Sequence, residues 1–170
     1  RPENRAISTG QVLFEDYTYK EGLLLVYEMA EVLIQQLLAE ALAARGISLY
    51  VGYSGRKRKG TGGSRKLDGY TDVPEDIWQA FSRLYRDKAA RGEGIRTIRM
   101  SLDNVAPASS VPRRFSLFRS PEEEEKQKKV EMVMLEMKEK FGKNALLRGM
   151  NYFPKSTLRS RNSLIGGHHE

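Results

Sequence analysis

Apolar residues recur with two different periods along this chain, and that succession constrains its fold more than any other feature. A period of two marks four strands, at residues 11–17, 47–53, 64–70 and 95–102. A helical period marks residues 20–44, and a second helix opens at Pro74 and stops at Gly92. The order β-α-β-β-α-β predicts an α+β two-layer sandwich with two helices on one face of a sheet. The order does not fix strand neighbours, so both a ferredoxin-like and a permuted ferredoxin-like fold remain open.

The second and fourth strands alternate cleanly enough to assign their faces. Residues predicted to point into the core are Ile47, Leu49, Val51, Tyr53, Ile98, Met100 and Leu102. Residues predicted to point outward are Ser48, Tyr50, Thr97, Arg99 and Ser101. The face away from the helices is therefore polar.

A third helix is predicted after a linker. Ser120 and Pro121, followed by glutamates, form a strong helix start, and Gly142 ends the pattern near residue 141. Its predicted buried stripe is Val130, Val133, Met134, Met137 and Phe141. We therefore divide the chain into a domain at 1–105, a linker at 106–120 and a helical extension at 121–170.

Positive charge is concentrated rather than spread. The chain has 29 Lys and Arg against 22 Asp and Glu, and residues 54–70 alone carry six basic residues against one acidic residue. These basic residues lie beside an open sheet face that is predicted to present Ser64, Lys66, Thr97 and Arg99. Such groups hold phosphates without reading bases, which favours a nucleic-acid backbone as the partner. An RNA-recognition module would need several aromatic residues that stack on bases, and Tyr50 is the only good candidate. Base stacking is therefore disfavoured.

Catalysis by this chain alone is disfavoured. There is no Cys, the two His residues lie in the tail at His168 and His169, and the acidic residues are scattered. We expect no catalytic residue, no metal site and no cofactor in this chain. No uninterrupted apolar run approaches the ~20 residues of a membrane span, so we expect no membrane partner.

The linker contains a short apolar segment, Arg114-Phe115-Ser116-Leu117-Phe118. Exposed apolar residues in a basic linker are unfavourable unless something buries them. They either pack on their own domain or anchor a partner, with Leu117 and Phe118 entering an apolar pocket.

Several strings resemble the little finger of Y-family translesion DNA polymerases. They are Ser8-Thr9-Gly10-Gln11-Val12-Leu13 with Asp16-Tyr17, and the hairpin strings Val51-Gly52-Tyr53-Ser54 and Gly62-Gly63-Ser64-Arg65. The tail Asn144-Ala145-Leu146-Leu147-Arg148, with Ile165-Gly166-Gly167-His168, is similar to the C-terminal end of the UmuC-type group (ImpB/MucB/SamB, UV-damage repair). The resemblance covers about residues 6–169.

This resemblance implies the DNA-binding and processivity module of an error-prone polymerase. The implied partners are double-stranded primer-template DNA, a bacterial sliding clamp and the rest of the polymerase chain, in the bacterial cytoplasm. Any Mg²⁺ would belong to a palm domain that this chain lacks, so the chain would not polymerise alone. The implied DNA-binding residues are Ser8, Thr9, Arg56, Lys57, Arg58, Lys59, Ser64, Arg65, Lys66, Thr97 and Arg99.

The family also carries a clamp-binding peptide of the form Gln-Leu-Ser/Asp-Leu-Phe after the little finger. Here the corresponding residues are Arg114, Phe115, Ser116, Leu117 and Phe118, with Arg in place of Gln and Phe in place of the first Leu. The resemblance implies clamp binding through this segment. A stand-alone protein-interaction adaptor, or another basic nucleic-acid-binding module, is the alternative.

Overall fold

An antiparallel sheet carries two helices on one face and leaves its other face open in a computed structural model of the chain. The structure describes residues 5–112 and 114–142; the rest of the predicted extension, with the strings at 144–168, lies outside them. The elements are β1 (Ile7–Tyr17), α1 (Tyr19–Ala39), β2 (Leu42–Tyr53), β3 (Thr61–Thr71), α2 (Pro74–Lys88), β4 (Ile95–Asp103), β5 (Ala106–Pro107) and α3 (Pro121–Phe141). The predicted α+β class and element order are confirmed.

The strand order decides between the two folds that the sequence left open. Four strands follow the order β1-β4-β2-β3, and the short β5 pairs with the start of β2. All these pairs are antiparallel. The central strands are thus β2 and β4, which is the permuted arrangement. These are also the two strands whose alternation is cleanest, because each is buried on one face and open on the other.

The first helix ends earlier than predicted. It begins with a capping box in which Thr18 accepts from the Glu21 amide, and it ends at Ala39 instead of continuing to residue 44. Ala41 turns the chain with a φ of 52°, and β2 starts at Leu42. Gly46 lies within β2, opposite Asp103. The error arose because residues 42–44 are apolar and suit either period.

The core lies between the sheet and the two helices. On α2, Ile77, Phe81 and Leu84 are fully buried. Burying such side chains stabilises the fold by roughly 1.5–3 kcal/mol each. By length and composition α1 could also cross a membrane, but here it is the central core helix, with its apolar residues packed on the sheet and on α2.

The third helix has the predicted bounds but not the predicted face. Met134 is buried, whereas Val130, Val133 and Phe141 are exposed. Polar contacts dock α3 instead: the Gln35 side-chain amide donates to Glu131 at 3.1 Å, within the buried interface with α1. The stripe prediction is confirmed for Met134 and wrong for Val130, Val133 and Phe141. Hydrophobic periodicity does not reveal the hydrogen bonds that help to dock α3.

The predicted linker begins with ordered structure. β5 pairs Ala106 and Pro107 with β2, and a short 3-10 helix, Ala108–Ser110, follows. The domain boundary after residue 105 stays a prediction.

Candidate nucleic-acid interface

A row of four serines crosses the open face of the sheet, one from each long strand. Ser8 of β1 pairs with Ser101 of β4, Ser101 pairs with Ser48 of β2, and Ser48 pairs with Ser64 of β3. Because paired residues in a sheet project to the same face, the four hydroxyls form one polar line, which we call the serine row.

One carboxylate organises most of the serine row. Ser48 Oγ donates to Asp103 Oδ2 at 2.5 Å, and Ser101 Oγ donates to Asp103 Oδ1 at 2.7 Å. Ser64 Oγ lies 2.7 Å from Ser48 Oγ. Since a hydroxyl has one proton and that of Ser48 goes to Asp103, Ser64 donates to Ser48. The hydroxyl protons of these three serines are therefore donated to other groups of the protein.

Two residues further along β2 and β4, the open face carries a cation and an aromatic ring. Arg99 pairs with Tyr50 across β4 and β2, and its guanidinium carbon lies 4.9 Å from the ring centroid. Both side chains are exposed. On the neighbouring strand, Gly62 has a φ of 152° and any Cβ there would collide with the Leu49 carbonyl oxygen. Arg99, Tyr50 and the serine row line a shallow depression of about 530 Å³.

The basic hairpin tip, residues 54–60, is exposed at the end of β2 and β3. Arg58 lies 3.8 Å from the Glu93 carboxylate and 5.8 Å from the Tyr53 ring centroid. Arg56, Lys57 and Lys59 form no ion pair within residues 5–112 and 114–142. At the hairpin tip, a polyanion could therefore engage these three cations without breaking a salt bridge to the described part of the chain.

Two predicted DNA-binding residues lie away from this surface. Arg65 is on the helix side of β3, where its guanidinium contacts Asp87 of α2 at 2.6 Å. Thr9 pairs with Met100, whose side chain points into the core, so Thr9 lies on the opposite face from Ser8. The open face does receive the other predicted strand residues, which are Ser8, Ser64, Lys66, Thr97 and Arg99.

The apolar loop, residues 115–118, lies between two arginines that contact β3 and the start of α2. Phe115, Leu117 and Phe118 are 88%, 95% and 93% exposed. Ser116 Oγ accepts from the Phe118 amide at 3.2 Å, which forms a local turn. Within the described residues the loop does not pack on its own domain, so the first of the two sequence interpretations is not supported.

Two arginines hold the ends of the apolar loop. Arg114 contacts Asp68 at 3.1 Å and Asp76 at 3.2 Å, and Arg119 contacts Glu75 at 3.0 Å and the same Asp76. Burial by itself would lower the pKa of Arg119, but the hydrogen bond and charge of Asp76, with other nearby carboxylates, raise it. Arg119 therefore stays charged within the ion-pair network.

The comparisons with known proteins identify the domain. Residues 4–115 match the impB/mucB/samB family C-terminal domain. The chain belongs to the impB/mucB/samB family. The recognition of a Y-family little-finger sequence of the UV-damage repair type is thereby confirmed.

The chain is also similar to a curated relative and to a solved structure. "Putative UV-damage repair protein UvrX" of Bacillus subtilis (strain 168) is 32% identical over 162 residues, which cover 93% of this chain and 37% of that protein. The chain thus spans well under half the length of this relative. A structure titled "Complex of beta-clamp processivity factor and little finger domain of PolIV" aligns with a TM-score of 0.46 at 13% identity, covering 66% of this chain and 98% of that one.

Sequence reasoning missed two features of the impB/mucB/samB domain. Ser48 was placed on the open face but given no role, and Asp103 was not singled out. The only signal was the shared outward register of Ser48 and Ser101, which becomes a row once β2 and β4 are neighbours. No group of three His, Cys, Asp or Glu residues that could hold a metal ion occurs among the residues that the structure describes.

Proposed function

We propose that this domain grips the phosphate backbone of double-stranded primer-template DNA for an error-prone translesion polymerase. The observation that supports this most is the open sheet face, where Arg99, Lys66 and the serine row lie on the same side of the sheet. Next to them is the hairpin tip, with three exposed cations that form no ion pair to the described residues. Hydroxyl, amide and cationic groups of this kind contact phosphates and carry no base specificity.

Polymerisation itself would reside in the rest of a longer chain. The carboxylates that a two-metal reaction needs are not grouped in residues 5–112 and 114–142. The relative from Bacillus subtilis is much longer than this chain, which leaves room for a catalytic part. The domain would act with that part in the bacterial cytoplasm, holding the duplex while the catalytic part extends it.

Fluorescence anisotropy with a labelled duplex tests the DNA-binding proposal. Replacing Arg56, Lys57 and Lys59 by Ala should weaken binding about tenfold on every sequence and reduce the salt dependence by about 0.9 in log–log slope per lost phosphate contact. The matched control replaces Lys126, Lys129 and Lys140 of α3, which are also exposed, and removes the same charge. Equal losses in both triple variants would reduce the effect to net charge and contradict the proposed surface.

We also propose that the apolar loop docks on the bacterial sliding clamp. The exposed side chains of Leu117 and Phe118, and their Ser-Leu-Phe order after the little-finger sequence, support this role. Apolar anchors of this size dominate binding when a partner pocket buries them. Changing both to Ala should abolish clamp binding measured by surface plasmon resonance and leave DNA affinity unchanged. Retained clamp binding would contradict the docking site.

A further inference from the structure

We infer that Arg114 and Arg119 are positioning residues that staple the apolar loop to the start of α2 through one shared carboxylate, Asp76. This inference rests on the proposed docking of the loop on a sliding clamp. It assigns Arg114 a different role from the one that the sequence implied. There Arg114 stood at the first position of the clamp peptide; here its side chain turns back to the domain.

The staple joins the two ends of the apolar loop to the same carboxylate. Arg114 precedes the four loop residues and Arg119 follows them, and both guanidinium groups reach Asp76. The Thr71 hydroxyl also donates to Asp76 at 2.7 Å, which fixes the carboxylate. Four residues held at both ends have few conformations available, so the loop is presented in a restricted shape.

Burial makes these ion pairs more effective than ordinary surface pairs. The side chains of Asp76 and Arg119 are 9% and 13% exposed, and that of Arg114 is 30% exposed. Isolated exposed ion pairs contribute little because water and salt screen them. A shared carboxylate in a partly dehydrated network is screened less and has better-defined geometry.

The staple leaves the apolar side chains outward. Both flanking arginines are engaged with the domain, while the side chains of Phe115, Leu117 and Phe118 stay almost fully exposed. A loop ordered before binding loses less conformational entropy when its partner binds. The domain should therefore bind the clamp more tightly than the same residues in a free peptide.

The replacement Arg114→Gln separates positioning from direct contact. It restores the family's Gln at the first peptide position and removes the anchor at the same time. Four species would be compared by surface plasmon resonance on purified Bacillus subtilis sliding clamp: the chain, its R114Q variant, a synthetic peptide spanning 112–120 and the R114Q peptide. We expect R114Q to weaken the chain about fivefold, mainly through faster dissociation, and to leave the peptide unchanged or tighter. The control R83Q alters an exposed arginine on α2 and should change nothing.

Two results would overturn the staple. Equal weakening of chain and peptide would make Arg114 a direct contact of the clamp, and tighter binding by the R114Q chain would mean that the ion pairs hold the loop back. If neither the chain nor the peptide binds the clamp, the docking proposal fails, and this result does not bear on the staple. A second measurement therefore tests the staple without a clamp.

That measurement is limited proteolysis. Chymotrypsin cleaves after Phe and Leu, and cleavage within 115–118 can be followed by mass spectrometry. R114Q and R119Q should each increase the cleavage rate in the loop severalfold over the parent chain, whereas R83Q should leave the rate unchanged. Thermal unfolding should show that all variants are folded under the conditions used. Unchanged cleavage in both variants would overturn the staple.

Discussion

Ser48 donates its hydroxyl proton to Asp103 across the two central strands, with 2.5 Å between the oxygens. The contact places a carboxylate on the face that we propose for phosphate binding. It also directs the hydroxyl protons of the serine row inward. The face therefore combines groups that attract phosphates with one that repels them, and the path of a duplex backbone should favour Arg99 and the hairpin tip over the Asp103 end.

Replacing Asp103 by Asn should tighten DNA binding. The change removes one negative charge and keeps one side-chain oxygen, which can accept from one of the two serines, while the new amide group donates to the other serine oxygen. Because the open face is hydrated, a phosphate about 4 Å from this charge would be repelled with the strength found in bulk water, on the order of 1 kcal/mol. We therefore expect the affinity for DNA to rise about fivefold at low salt. Fluorescence anisotropy across a salt series measures it, with E122Q on exposed α3 as the charge-matched control. Weaker binding by D103N would show that orienting the hydroxyls outweighs repulsion.

Replacing Gly62 by Ala should destabilise the hairpin strongly. The residue has a φ of 152°, and a Cβ would meet the Leu49 carbonyl oxygen, which cannot move without breaking the β2–β3 pairing. We expect the free energy of unfolding to fall by about 2–4 kcal/mol in urea denaturation. Gly92 is the matched comparison, because it has a φ of 79° but open space around it, and G92A should cost about 1 kcal/mol. Similar losses in both would mean that the hairpin yields to the added methyl group.

Alkaline pH should unfold the domain through its buried tyrosines. Burial, with the charges of Glu28 and Glu15, raises the pKa of Tyr17 from 10.0 to about 12. Burial also raises the pKa of Tyr85, whose hydroxyl donates to the Tyr19 carbonyl at 2.7 Å. Below pH 10 both tyrosines are protonated in the folded and unfolded states, so their stabilisation is fully present. Between pH 10 and pH 12 only the unfolded state loses these protons, so the free energy of unfolding falls with rising pH.

The expected slope is about 1.4 kcal/mol per pH unit for each such tyrosine. Urea denaturation at several pH values, with tyrosinate absorbance as a second signal, measures it. Y17F and Y85F should each flatten the dependence, whatever their effect on stability at neutral pH. An unchanged slope in both variants would exclude these tyrosines as the cause.

Replacing Gln35 by Ala should weaken the docking of α3. Gln35 donates to Glu131, which is 1% exposed, and accepts from the Lys138 ammonium at 3.1 Å. Loss of the amide leaves a buried carboxylate with one donor fewer, at a cost of about 1–3 kcal/mol. Chemical denaturation should show this loss, while V133A, an exposed position on the same helix, should stay within about 0.5 kcal/mol. If V133A costs as much as Q35A, apolar contacts rather than the hydrogen bonds hold α3.

The sequence predicted correctly those helix starts that are set by residues close together in the chain. The start of α2 at Pro74 and the capping box at Ser120 involve partners within one helical turn, so they can be recognised locally. The end of α1 could not, because Ala41 is not a typical residue for a positive φ and the pairing of β2 with β5 comes from a later part of the chain.

The candidate site shows the same limit. The cations of the hairpin tip are adjacent in sequence and were predicted together. Arg65 was grouped with them, but strand alternation directs it to the helix side, where Asp87 lies. Family resemblance and charge do not reveal this placement, which follows from strand alternation, and the ion pair with Asp87 depends further on which helix residue faces β3.

The amino-acid sequence by itself determined the order of helices and strands, the open polar face and the concentration of charge in one hairpin. These follow from periodicity, capping and composition, which act over a few residues. Only the tertiary structure decided the strand order, the serine row on Asp103, the polar face by which α3 docks and the joining of Arg114 and Arg119 through Asp76. Those contacts join residues that are far apart in the chain, so they exist only once the sheet register and the packing of the helices are set.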